Sequence, residues 1–425
     1  MNIQRIEKDI QQISMFNETP EAGVTRFSYT EEDQKAREYL IREMEALGLT
    51  VTVDGAGNIR GKRQGNFTDA STVMTGSHID TVPNGGKFDG LLGVVLGLEV
   101  VRTLEDENIQ TDHPIELIIF AEEEGVNFGT PMVGSKSLTG EMTSEDFKNL
   151  RNSRGQTLYE TLEAFGLDPD AINTQGLKEG EVKAMIEVHV EQSKVLESEG
   201  LTLGIVEKIA GVKRYLVEVE GVANHSGATP MNLRQDALSG AAKMIASLDE
   251  LTRIYGFTTT VATVGRILCE PNAINVIPGK VSFTLDIRDV QSKGIDLVFQ
   301  QFKQIFEEVL DIYDLMGNIT QTGEAPVIEL SSMVRDALAK NAEELHIPHR
   351  TMNSGATHDA CILRSHTEVG MLFVPSIEGR SHVPQEKTDY GDIEKAGEVL
   401  YRTLLDLAVS EKKGEIPRAD TIKFY

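Results

Sequence analysis

Residues 72–104 have the sequence TVMTGSHIDTVPNGGKFDGLLGVVLGLEVVRTL. The run from Thr72 to Ile79 is apolar enough to predict a strand, and His78 lies at its end. A glycine-rich loop follows, and a helix is predicted from Leu91. Strand, loop and helix in this order form the repeating unit of an α/β sheet, whose functional groups lie beyond the strand ends. The loop after this strand is therefore a candidate site for chemistry.

The same pattern continues on both sides of this stretch. Before it, the sequence predicts a helix from Glu31 to Leu47 and an alternating, strand-like segment from Val51 to Ile59. After it, Pro114 to Ala121 (PIELIIFA) has the length and Ile content of a central strand that is covered on both faces. Val182 to Val190 alternates as a further strand. The first half of the chain is thus predicted to build an α/β sheet.

The pattern changes from about Gly211. A compact α+β unit is predicted, with strand Tyr215–Val219, helix Arg234–Tyr255, strands Thr258–Ile267 and Val281–Arg288, and helix Lys293–Tyr313. The first pattern then resumes with helix Ser331–Leu345, strand Met371–Val374 and helix Ile393–Ala408. We therefore predict a first domain made of residues 1–211 and 329–425, with an inserted domain at residues 212–328.

Composition limits the class of protein and its partners. The chain has 425 residues, of which 40% are hydrophobic and 25% are charged. Its mean hydropathy of −0.22 is ordinary for a folded globular protein and excludes a disordered or collagen-like chain. Lysine and arginine number 41 against 67 aspartate and glutamate, which gives a formal net charge of −26. Such a charge repels phosphate backbones and anionic lipids, so neither nucleic acid nor a membrane is predicted as a partner.

Three features predict a cytoplasmic location. The two cysteines, Cys269 and Cys361, form no CxxC pair, so neither a disulfide framework nor a thiolate zinc site is predicted. Residues 1–16 place isoleucines at helical spacing among charged residues, which is typical of a surface helix rather than a signal peptide. The most apolar stretch, Leu91–Leu104, is shorter than the roughly 20 residues of a membrane span and predicts a buried helix.

The loop after the first quoted strand carries a histidine and two carboxylates. His78 and Asp80 lie at the strand end, and Asp89 lies just before the helix. One imidazole and one carboxylate could share a metal ion there. Asp80 is placed to accept the second ring N–H of His78 and so to fix the tautomer of that ligand.

Further histidines and carboxylates follow other predicted strands. Glu122, Glu123 and Glu124 come directly after the Pro114–Ala121 strand, where one could bind a metal while its neighbour transfers a proton. His189 ends another alternating strand, and His382 lies in a loop after strand Met371–Val374. Their repeated position after strands indicates a metal site.

Taken singly, each of these residues also has a structural interpretation. A strand-end histidine can be a surface or core residue, and three adjacent glutamates can form a solvated turn. Signatures of other chemistries are missing from the sequence, namely a GxSxG elbow, a P-loop and a GxGxxG loop after a strand. Metal-assisted hydrolysis is the chemistry that remains.

Seven motifs together resemble those of one known family. They are GSHIDTVPNGGKFDG (76–90), AEEEG (121–125), EVHVEQ (187–192), NHSGATPMNLRQDA (224–237), NVIPG (275–279), SGATHDA (354–360) and SIEGRSHVPQE (376–386). The set resembles the amidase, hydantoinase and carbamoylase group of dinuclear metallohydrolases, which is related to aminoacylase and glutamate carboxypeptidase. The resemblance extends from about Gly23 to Leu407. It implies an α/β fold with a mixed-sheet, metallo-exopeptidase-like catalytic domain and an inserted α+β (ferredoxin-like) lid and dimerisation domain.

The resemblance also implies two divalent metal ions per subunit, with Zn, Mn, Co and Ni all suited to such ligands. By motif, His78 and His189 would ligate one ion. Glu124 and His382 would ligate the other, and Asp89 would bridge the two.

Two catalytic residues are implied in the same way. Glu123 matches the family's general base, which faces the reacting water while the next glutamate coordinates a metal. His225 matches a lid residue that reaches the reacting carbonyl, from the same or the neighbouring subunit. The Glu191-Gln192 pair after His189 favours the carbamoylase branch of the group.

Five positions match residues that hold the ureido group and the carboxylate of the substrate in such enzymes. They are Gln192, Arg214, Asn275, Arg288 and Gly355. From the residues alone, two of these assignments have equal alternatives. Arg288 could instead form an ion pair with one of the aspartates near it on its predicted strand, and the segment around Gly355 could be only a helix N-terminus.

The resemblance implies cleavage of the ureido C–N bond of N-carbamoyl-L-amino acids, with release of amino acid, ammonia and carbon dioxide. Allantoate amidohydrolase and β-ureidopropionase are alternatives, and a dipeptidase or aminoacylase-like hydrolase is a further one. An inactive binding protein with the same fold is the alternative of another class, and the complete ligand set argues against it. The implied assembly is a homodimer formed through the inserted domain, whose closure would bring His225, Asn275 and Arg288 over the metals.

Overall fold

The computed structural model describes residues 1–67 and 69–409. The longer strands and helices of the first unit are α1 (Ile3–Ser14), α2 (Glu31–Ala46), β1 (Thr50–Val53), β2 (Ile59–Arg63), β3 (Thr72–His78), α3 (Leu91–Asp106), β4 (Ile115–Phe120), α4 (Val133–Leu138), α5 (Ser144–Phe147), α6 (Leu158–Ala164), α7 (Ile172–Gln175), β5 (Val182–Val190), α8 (Val195–Glu199) and β6 (Leu203–Ile209).

The chain continues with β7 (Gly211–Glu220), β8 (Asn224–His225), α9 (Ala237–Tyr255), β9 (Val261–Thr263), β10 (Ile267–Glu270), β11 (Val276–Ile277), β12 (Lys280–Asp289), α10 (Ser292–Tyr313), β13 (Met316–Ala325) and β14 (Ile328–Glu329). The last elements are α11 (Ser332–Glu344), β15 (His349–Ser354), α12 (Asp359–Leu363), β16 (Glu368–Val374) and α13 (Tyr390–Ala408).

A mixed sheet carries the candidate site residues. Its strands are arranged in the order β1-β2-β4-β3-β5-β16-β6-β14, and β15 pairs with β6 off this path. The four central strands, β4, β3, β5 and β16, run parallel to one another, while β2 and β6 pair antiparallel at either side of them. Parallel neighbours end at the same edge of a sheet, so the residues that follow these four strands lie close together. The predicted α/β fold with a mixed sheet is confirmed.

The core around this sheet explains why the central strands are so apolar. Every residue of β3 and β4 is buried. Helix α3 is buried from Leu91 to Leu104, as the sequence predicts for a helix covered on all sides. Its Glu99 and Arg102 are also buried, because Arg5 pairs with Glu99 and Asp9 pairs with Arg102. The two charged residues that interrupt the apolar sequence of α3 are thus paired with oppositely charged residues of the N-terminal helix α1.

The inserted segment forms a separate sheet with two helices. Four antiparallel strands are arranged in the order β10-β12-β7-β13, and β9 also pairs with β12. In chain order, β7-α9-β10-β12-α10-β13 is the βαββαβ order of ferredoxin-like units. Residues on one face of the sheet, among them Val217 and Phe283, pack against the apolar faces of α9 and α10.

The chain divides into two compact units whose limits differ slightly from the sequence-based boundaries. One unit contains Met1–Ile205, Ser331–Arg350 and the chain from His358 onward, and the other contains Val206–Leu330 and Thr351–Thr357. The second unit thus gains a short returning segment, which the sequence places in the first domain. The physical reason is a long-range pairing, because the Ala210 N–H donates to the Ser354 carbonyl at 2.9 Å. Residues 410–425 of the predicted first domain lie outside the described residues.

Two predicted strands are interrupted. The alternating segment from Val51 to Ile59 contains the turn between β1 and β2, because the Asp54 carboxylate accepts the N–H groups of Ala56 and Asn58. The segment from Thr258 to Ile267 splits into β9 and the start of β10. Strand β13 and most of the short helices were not predicted, since their sequences are polar or too short for a clear period.

Among the described residues, no helix is long and apolar enough to cross a membrane.

Candidate metal centre

The ends of the four parallel strands bring five predicted ligands together. His78 ends β3, His189 lies near the end of β5, and Glu124 and His382 follow β4 and β16. Asp89 lies in the loop between β3 and α3. Among the described residues, the donor atoms form two groups in which all atoms lie within 4.8 Å of one another, and Asp89 belongs to both. The groups are His78, Asp89 and His189, and Asp89, Glu124 and His382.

The Asp89 carboxylate lies between the two groups. Its Oδ1 atom is 3.5 Å from His78 Nε2 and 3.2 Å from His189 Nε2. Its Oδ2 atom is 3.3 Å from His382 Nε2. The pKa of Asp89 is far below its usual value, because the three histidines outweigh the effect of burial. Each oxygen therefore faces a different set of ligands, which is the arrangement that a bridging carboxylate requires.

Backbone carbonyls orient the two buried imidazoles. His78 Nδ1 is 3.0 Å from the Asp80 carbonyl, and His189 Nδ1 is 2.9 Å from the Val190 carbonyl. A carbonyl can only accept, so both Nδ1 atoms carry the proton and both Nε2 atoms face Asp89. Burial opposes the protonation of His78, yet Glu123 and Asp89 raise its pKa well above the usual value. A metal ion bound at Nε2 would replace that proton.

Asp80 lies beside His78 as predicted, but its carboxylate forms hydrogen bonds with other residues. Its Oδ1 atom is 3.7 Å from His78 Nδ1, whereas the Asp80 backbone carbonyl lies within hydrogen-bond distance of that nitrogen. The carboxylate instead accepts the N–H groups of Glu123 at 3.2 Å and Glu124 at 3.0 Å. At 3.7 Å the carboxylate lies beside the ring but does not form the predicted hydrogen bond, because the Asp80 carbonyl is closer to Nδ1. Asp80 still orients the centre, through both its main chain and its side chain.

The three consecutive glutamates have separate environments. Glu122 turns away, with a left-handed φ of 52°, and accepts the N–H groups of Asn127 and Phe128. Glu123 is buried, and its Oε2 atom is 3.6 Å from His78 Nε2. Burial raises the pKa of Glu123 well above its usual value. This carboxyl group is therefore suited to hold and release a proton.

Glu124 has the property expected of a metal ligand. Its Oε1 atom is buried and has no hydrogen-bond partner among the described residues, although His382 Nε2 lies 3.6 Å away. Burial and the nearby Asp89 raise the pKa of Glu124 to about 7. A buried carboxylate oxygen without a partner is costly, and a cation would compensate it.

His382 and Gln192 close the accessible side of the centre. Both have left-handed backbones, with φ values of 58° and 60°. Such conformations are uncommon for residues other than glycine and often occur at functional sites. The His382 side chain is 47% exposed, which makes it the most accessible of the five predicted ligands. Gln192 Nε2 donates to Asp89 Oδ2 at 2.7 Å, so this predicted substrate contact lies directly beside the bridging aspartate.

Glu386 supports the Asp89 loop and was missed by sequence reasoning. It is buried, and its Oε1 atom accepts the N–H groups of Phe88 at 2.8 Å and Asp89 at 3.0 Å. Ser381 Oγ lies 2.8 Å from both Glu386 Oε2 and Asp89 Oδ2. A side chain at Gly86 would place its Cβ only 2.2 Å from Glu386 Oε1. In the sequence, Glu386 is marked only as the last residue of the motif at 376–386. Its contact with the Asp89 loop can be recognised only in the folded chain.

Gly90 allows helix α3 to start beside the rings of His78 and His189. Its φ is 63°, and a Cβ atom there would lie 2.4 Å from His78 Cε1. Its N–H donates to His189 Nε2 at 3.2 Å. The glycine at this position of the loop is therefore required both by backbone conformation and by space.

His358 is a third buried histidine, beside His78 and His189, and sequence reasoning did not assign it a role. Its ring centroid is 4.6 Å from that of His189 and 5.8 Å from that of Phe373. Burial and the neighbouring His189 lower its pKa well below the usual value, so it packs as a neutral ring. Four further histidines, which lie in none of the seven motifs, are exposed or half-buried, namely His113, His346, His349 and His366.

The donor set fits divalent metal ions. The nitrogen and oxygen donors converge in two groups, the Nε2 atoms of the three imidazoles lie near Asp89, and a buried oxygen of Glu124 has no hydrogen-bond partner among the described residues. Mixed imidazole and carboxylate ligands suit Zn, Mn, Co or Ni. The chain therefore contains histidine and carboxylate clusters that are able to bind metal.

The other predicted residues lie in the second compact unit. His225 and Asn275 are neighbours there, because β8 pairs with β11 and the Ser226 N–H donates to the Asn275 carbonyl. His225 Nδ1 accepts the N–H groups of Gly227 at 3.1 Å and Ala228 at 3.2 Å. In the neutral ring the proton is therefore on Nε2, which makes this exposed histidine a hydrogen-bond donor.

Arg214, Arg288 and Gly355 form a second group in the same unit. Arg288 Nη1 donates to the Gly355 carbonyl at 3.0 Å. Both arginines also bond to Asp286, at 2.9 Å from Arg214 Nε and 2.8 Å from Arg288 Nε. The ion-pair alternative for Arg288 is thus realised with Asp286. Each terminal nitrogen of Arg288 donates one hydrogen bond, Nη1 to the Gly355 carbonyl and Nη2 to Asp286.

Comparisons with known proteins find a matching family model and relatives that align along nearly the whole chain. Residues 74–406 match the family model described as Peptidase family M20/M25/M40. The chain is 38% identical over 402 residues to N-carbamoyl-L-amino-acid amidohydrolase of Paenarthrobacter aurescens, covering 94% of this chain and 97% of that protein. It is 32% identical over 406 residues to allantoate amidohydrolase of Escherichia coli (strain K12), covering 95% and 98% of the two chains.

A solved structure has the same fold. The amidase of the hydantoinase/carbamoylase family from Burkholderia multivorans superposes with a TM-score of 0.89 at 34% sequence identity. The match covers 96% of this chain and 98% of that one.

Proposed function

The chain belongs to peptidase family M20/M25/M40, and from this premise we propose that it is a metal-dependent amidohydrolase acting on the ureido C–N bond of N-carbamoyl-L-amino acids. Two observations support this function over peptide hydrolysis. Relatives that align along nearly the whole chain are amidohydrolases of N-carbamoyl-L-amino acids and allantoate. The Gln192 amide, which can both donate and accept, lies beside Asp89, where a ureido group needs both kinds of partner.

The observation that carries the proposal is the position of the Asp89 carboxylate between two ligand groups. We assign His78 and His189 to one divalent ion, Glu124 and His382 to a second, and Asp89 to both. Zn, Mn, Co and Ni remain the candidate metals. Divalent ions bound there would supply a nucleophilic water at neutral pH, because they lower the pKa of water to about 7.

Glu123 is the proposed general base. Its carboxylate takes a proton from the attacking water and then returns it to the leaving nitrogen. The position fits, because Asp80 fixes the main chain of Glu123 and Glu124 and so separates the base from its ligating neighbour. The products are the free amino acid and carbamic acid, which decomposes to ammonia and carbon dioxide.

Residues of the second unit are proposed to bind the substrate. His225, with its proton on Nε2, would donate to the oxyanion that forms on the ureido carbonyl. Asn275, its neighbour, would hold the ureido group. Arg214 and Arg288 would bind the carboxylate, because a guanidinium offers paired donors to a planar anion. The Gly355 segment would support Arg288.

We infer a homodimer formed through the inserted unit, which also serves as a lid over the metal centre. Residues 212–328 are assigned to this lid and dimerisation domain, and residues 1–211 and 329–425 to the catalytic domain. We also propose a cytoplasmic location, and the two cysteines without a CxxC pair support it.

The proposal is tested by assaying the purified protein for ammonia released from ureido substrates and for free amino acid released from acyl and peptide substrates. We would remove metals with a chelator, restore Mn, Co, Ni or Zn separately, and compare N-carbamoyl-L-alanine, allantoate and 3-ureidopropanoate with N-acetyl-L-alanine and a dipeptide. The expected result is metal-dependent cleavage that is fastest for the N-carbamoyl amino acid. Fastest cleavage of allantoate would establish the allantoate alternative, and cleavage of only the acyl or peptide substrates would overturn the proposal.

A further inference from the structure

Asp286 lies between the two arginines that are proposed to bind the substrate carboxylate. Strands β12 and β7 pair so that Asp286 is directly opposite Arg214. Arg288 follows two residues later and therefore lies on the same face of the sheet. Leu285 and Ile287 are buried in the core on the opposite face. One carboxylate is thus placed within reach of both guanidinium groups.

The contacts of Asp286 leave part of each guanidinium free. Arg288 uses Nε at 2.8 Å and Nη2 at 3.3 Å for Asp286, and Nη1 for the Gly355 carbonyl. An arginine has five N–H groups, so two N–H groups on the terminal nitrogens remain. Arg214 uses Nε alone for Asp286, and its side chain is 49% exposed. Asp286 therefore fixes both arginines and still leaves N–H groups on the terminal nitrogens of each without a partner in this group.

The charges of this group sum to a single positive charge. Burial favours the neutral form of Asp286, yet its two arginine partners lower its pKa below the usual value, so it is ionised. Two arginines and one aspartate then give +1. The residues opposite Asp286 and Arg288 on β9 are Thr263 and Val261, which are uncharged. The next cation on β7, Lys213, is already paired with Asp296 and Glu324.

We propose that Asp286 is a specificity-determining residue: as a counter-ion to Arg214 and Arg288, it limits the site to ureido acids with a single carboxylate. This inference rests on the proposed function. One substrate carboxylate neutralises the remaining positive charge. A second carboxylate on a short side chain would lie near Asp286, which would repel it.

The test uses two substrates of nearly equal size that differ by one charge, N-carbamoyl-L-asparagine and N-carbamoyl-L-aspartate. The wild-type protein should prefer the asparagine derivative in kcat/KM by about 10-fold or more, the ratio expected for one uncompensated charge at a half-exposed site. Asp286→Asn preserves the shape but raises the charge of the group to +2. It should reduce that preference by about 10-fold, mainly through KM for the aspartate derivative.

The matched control is Asp249→Asn on helix α9. Asp249 also pairs with an arginine, Arg253, and its replacement changes the net charge of the chain by the same amount. The control should leave the substrate preference at the wild-type value. An unchanged preference in Asp286→Asn, or an equal shift in the control, would overturn the assignment of Asp286.

A measurement on the wild-type protein keeps the inference testable if the variant does not fold. Succinamate and succinate differ by one charge, and we expect succinamate to be the stronger competitive inhibitor by about 10-fold at low salt. The difference should shrink as ionic strength increases. Equal inhibition constants would overturn the inference while leaving ureido hydrolysis intact, whereas failure to cleave any ureido substrate would overturn the proposed function and this inference together.

Discussion

The cluster around Asp89 and the arginine pair around Asp286 are held by different means. The histidines of the first group are oriented by backbone carbonyls, and most of its members are buried. The arginines of the second group are half-exposed and are oriented by one side chain. Burial and backbone bonding fix the positions of reacting groups before the substrate arrives, whereas exposed side chains must be ordered on binding. Changes in the first group should therefore affect kcat, and changes in the second should affect KM.

The largest effect that separates the two groups is expected for Glu123→Gln. This variant should lower kcat by on the order of 10⁴-fold, because the base is proposed to act in both proton transfers. It should retain metal, since Glu123 is not among the assigned ligands. Turnover and metal content by atomic emission would be measured on the same preparation. Near wild-type turnover would remove Glu123 as the base, and loss of metal would instead make it a ligand.

A smaller effect is expected for His225→Gln, which tests whether an exposed residue can also act on kcat. Loss of one donor to an oxyanion typically lowers kcat by about 100- to 1000-fold. The control is His346→Gln, an exposed histidine of the first unit without an assigned role. If His225→Gln changes only KM, the residue binds substrate and does not stabilise the transition state.

Arg288→Lys should affect KM rather than kcat. Lysine keeps the charge but lacks the paired donors, and we expect KM for N-carbamoyl-L-alanine to rise by about 10- to 100-fold. The amide of the same substrate lacks the carboxylate and should show a much smaller change. An equal rise for both substrates would contradict the carboxylate contact.

The smallest effect is expected for Glu386→Gln, which probes the support of the metal centre. Glutamine keeps an acceptor for the Phe88 and Asp89 N–H groups, so the chain should fold and metal affinity should fall by about 10-fold. Isothermal titration of the metal-free protein measures this directly. Unchanged affinity with normal activity would show that the contact with Ser381 and Asp89 only stabilises the fold.

The sequence allows the main sheet and the metal centre to be predicted for a physical reason. Apolar strands such as Pro114–Ala121 have a clear signal, and parallel strands place the residues after them at one edge. The assignment of each ligand, however, came from the motifs of the family. The family prediction and the mixed α/β fold are confirmed by the comparisons.

Other features depend on contacts between residues that are distant in sequence. Glu386 reaches the Asp89 loop from almost 300 positions away, and segment 351–357 joins the second unit through pairing with the chain near Ala210. Whether the carbonyl or the carboxylate of Asp80 bonds to His78 depends on the local backbone geometry, which side-chain patterns do not encode. Such details require the folded chain.

The contacts of Asp80 have a consequence for protein engineering. One residue fixes the backbone of both Glu123 and Glu124 and also bonds to the His78 ring. If Glu123 is the base and Glu124 a metal ligand, as proposed, a replacement at this position would alter metal preference and reaction rate at once, and selection for either trait would change the other. Mutant libraries intended to change the bound metal without lowering the reaction rate should therefore keep Asp80 and vary exposed residues near His382.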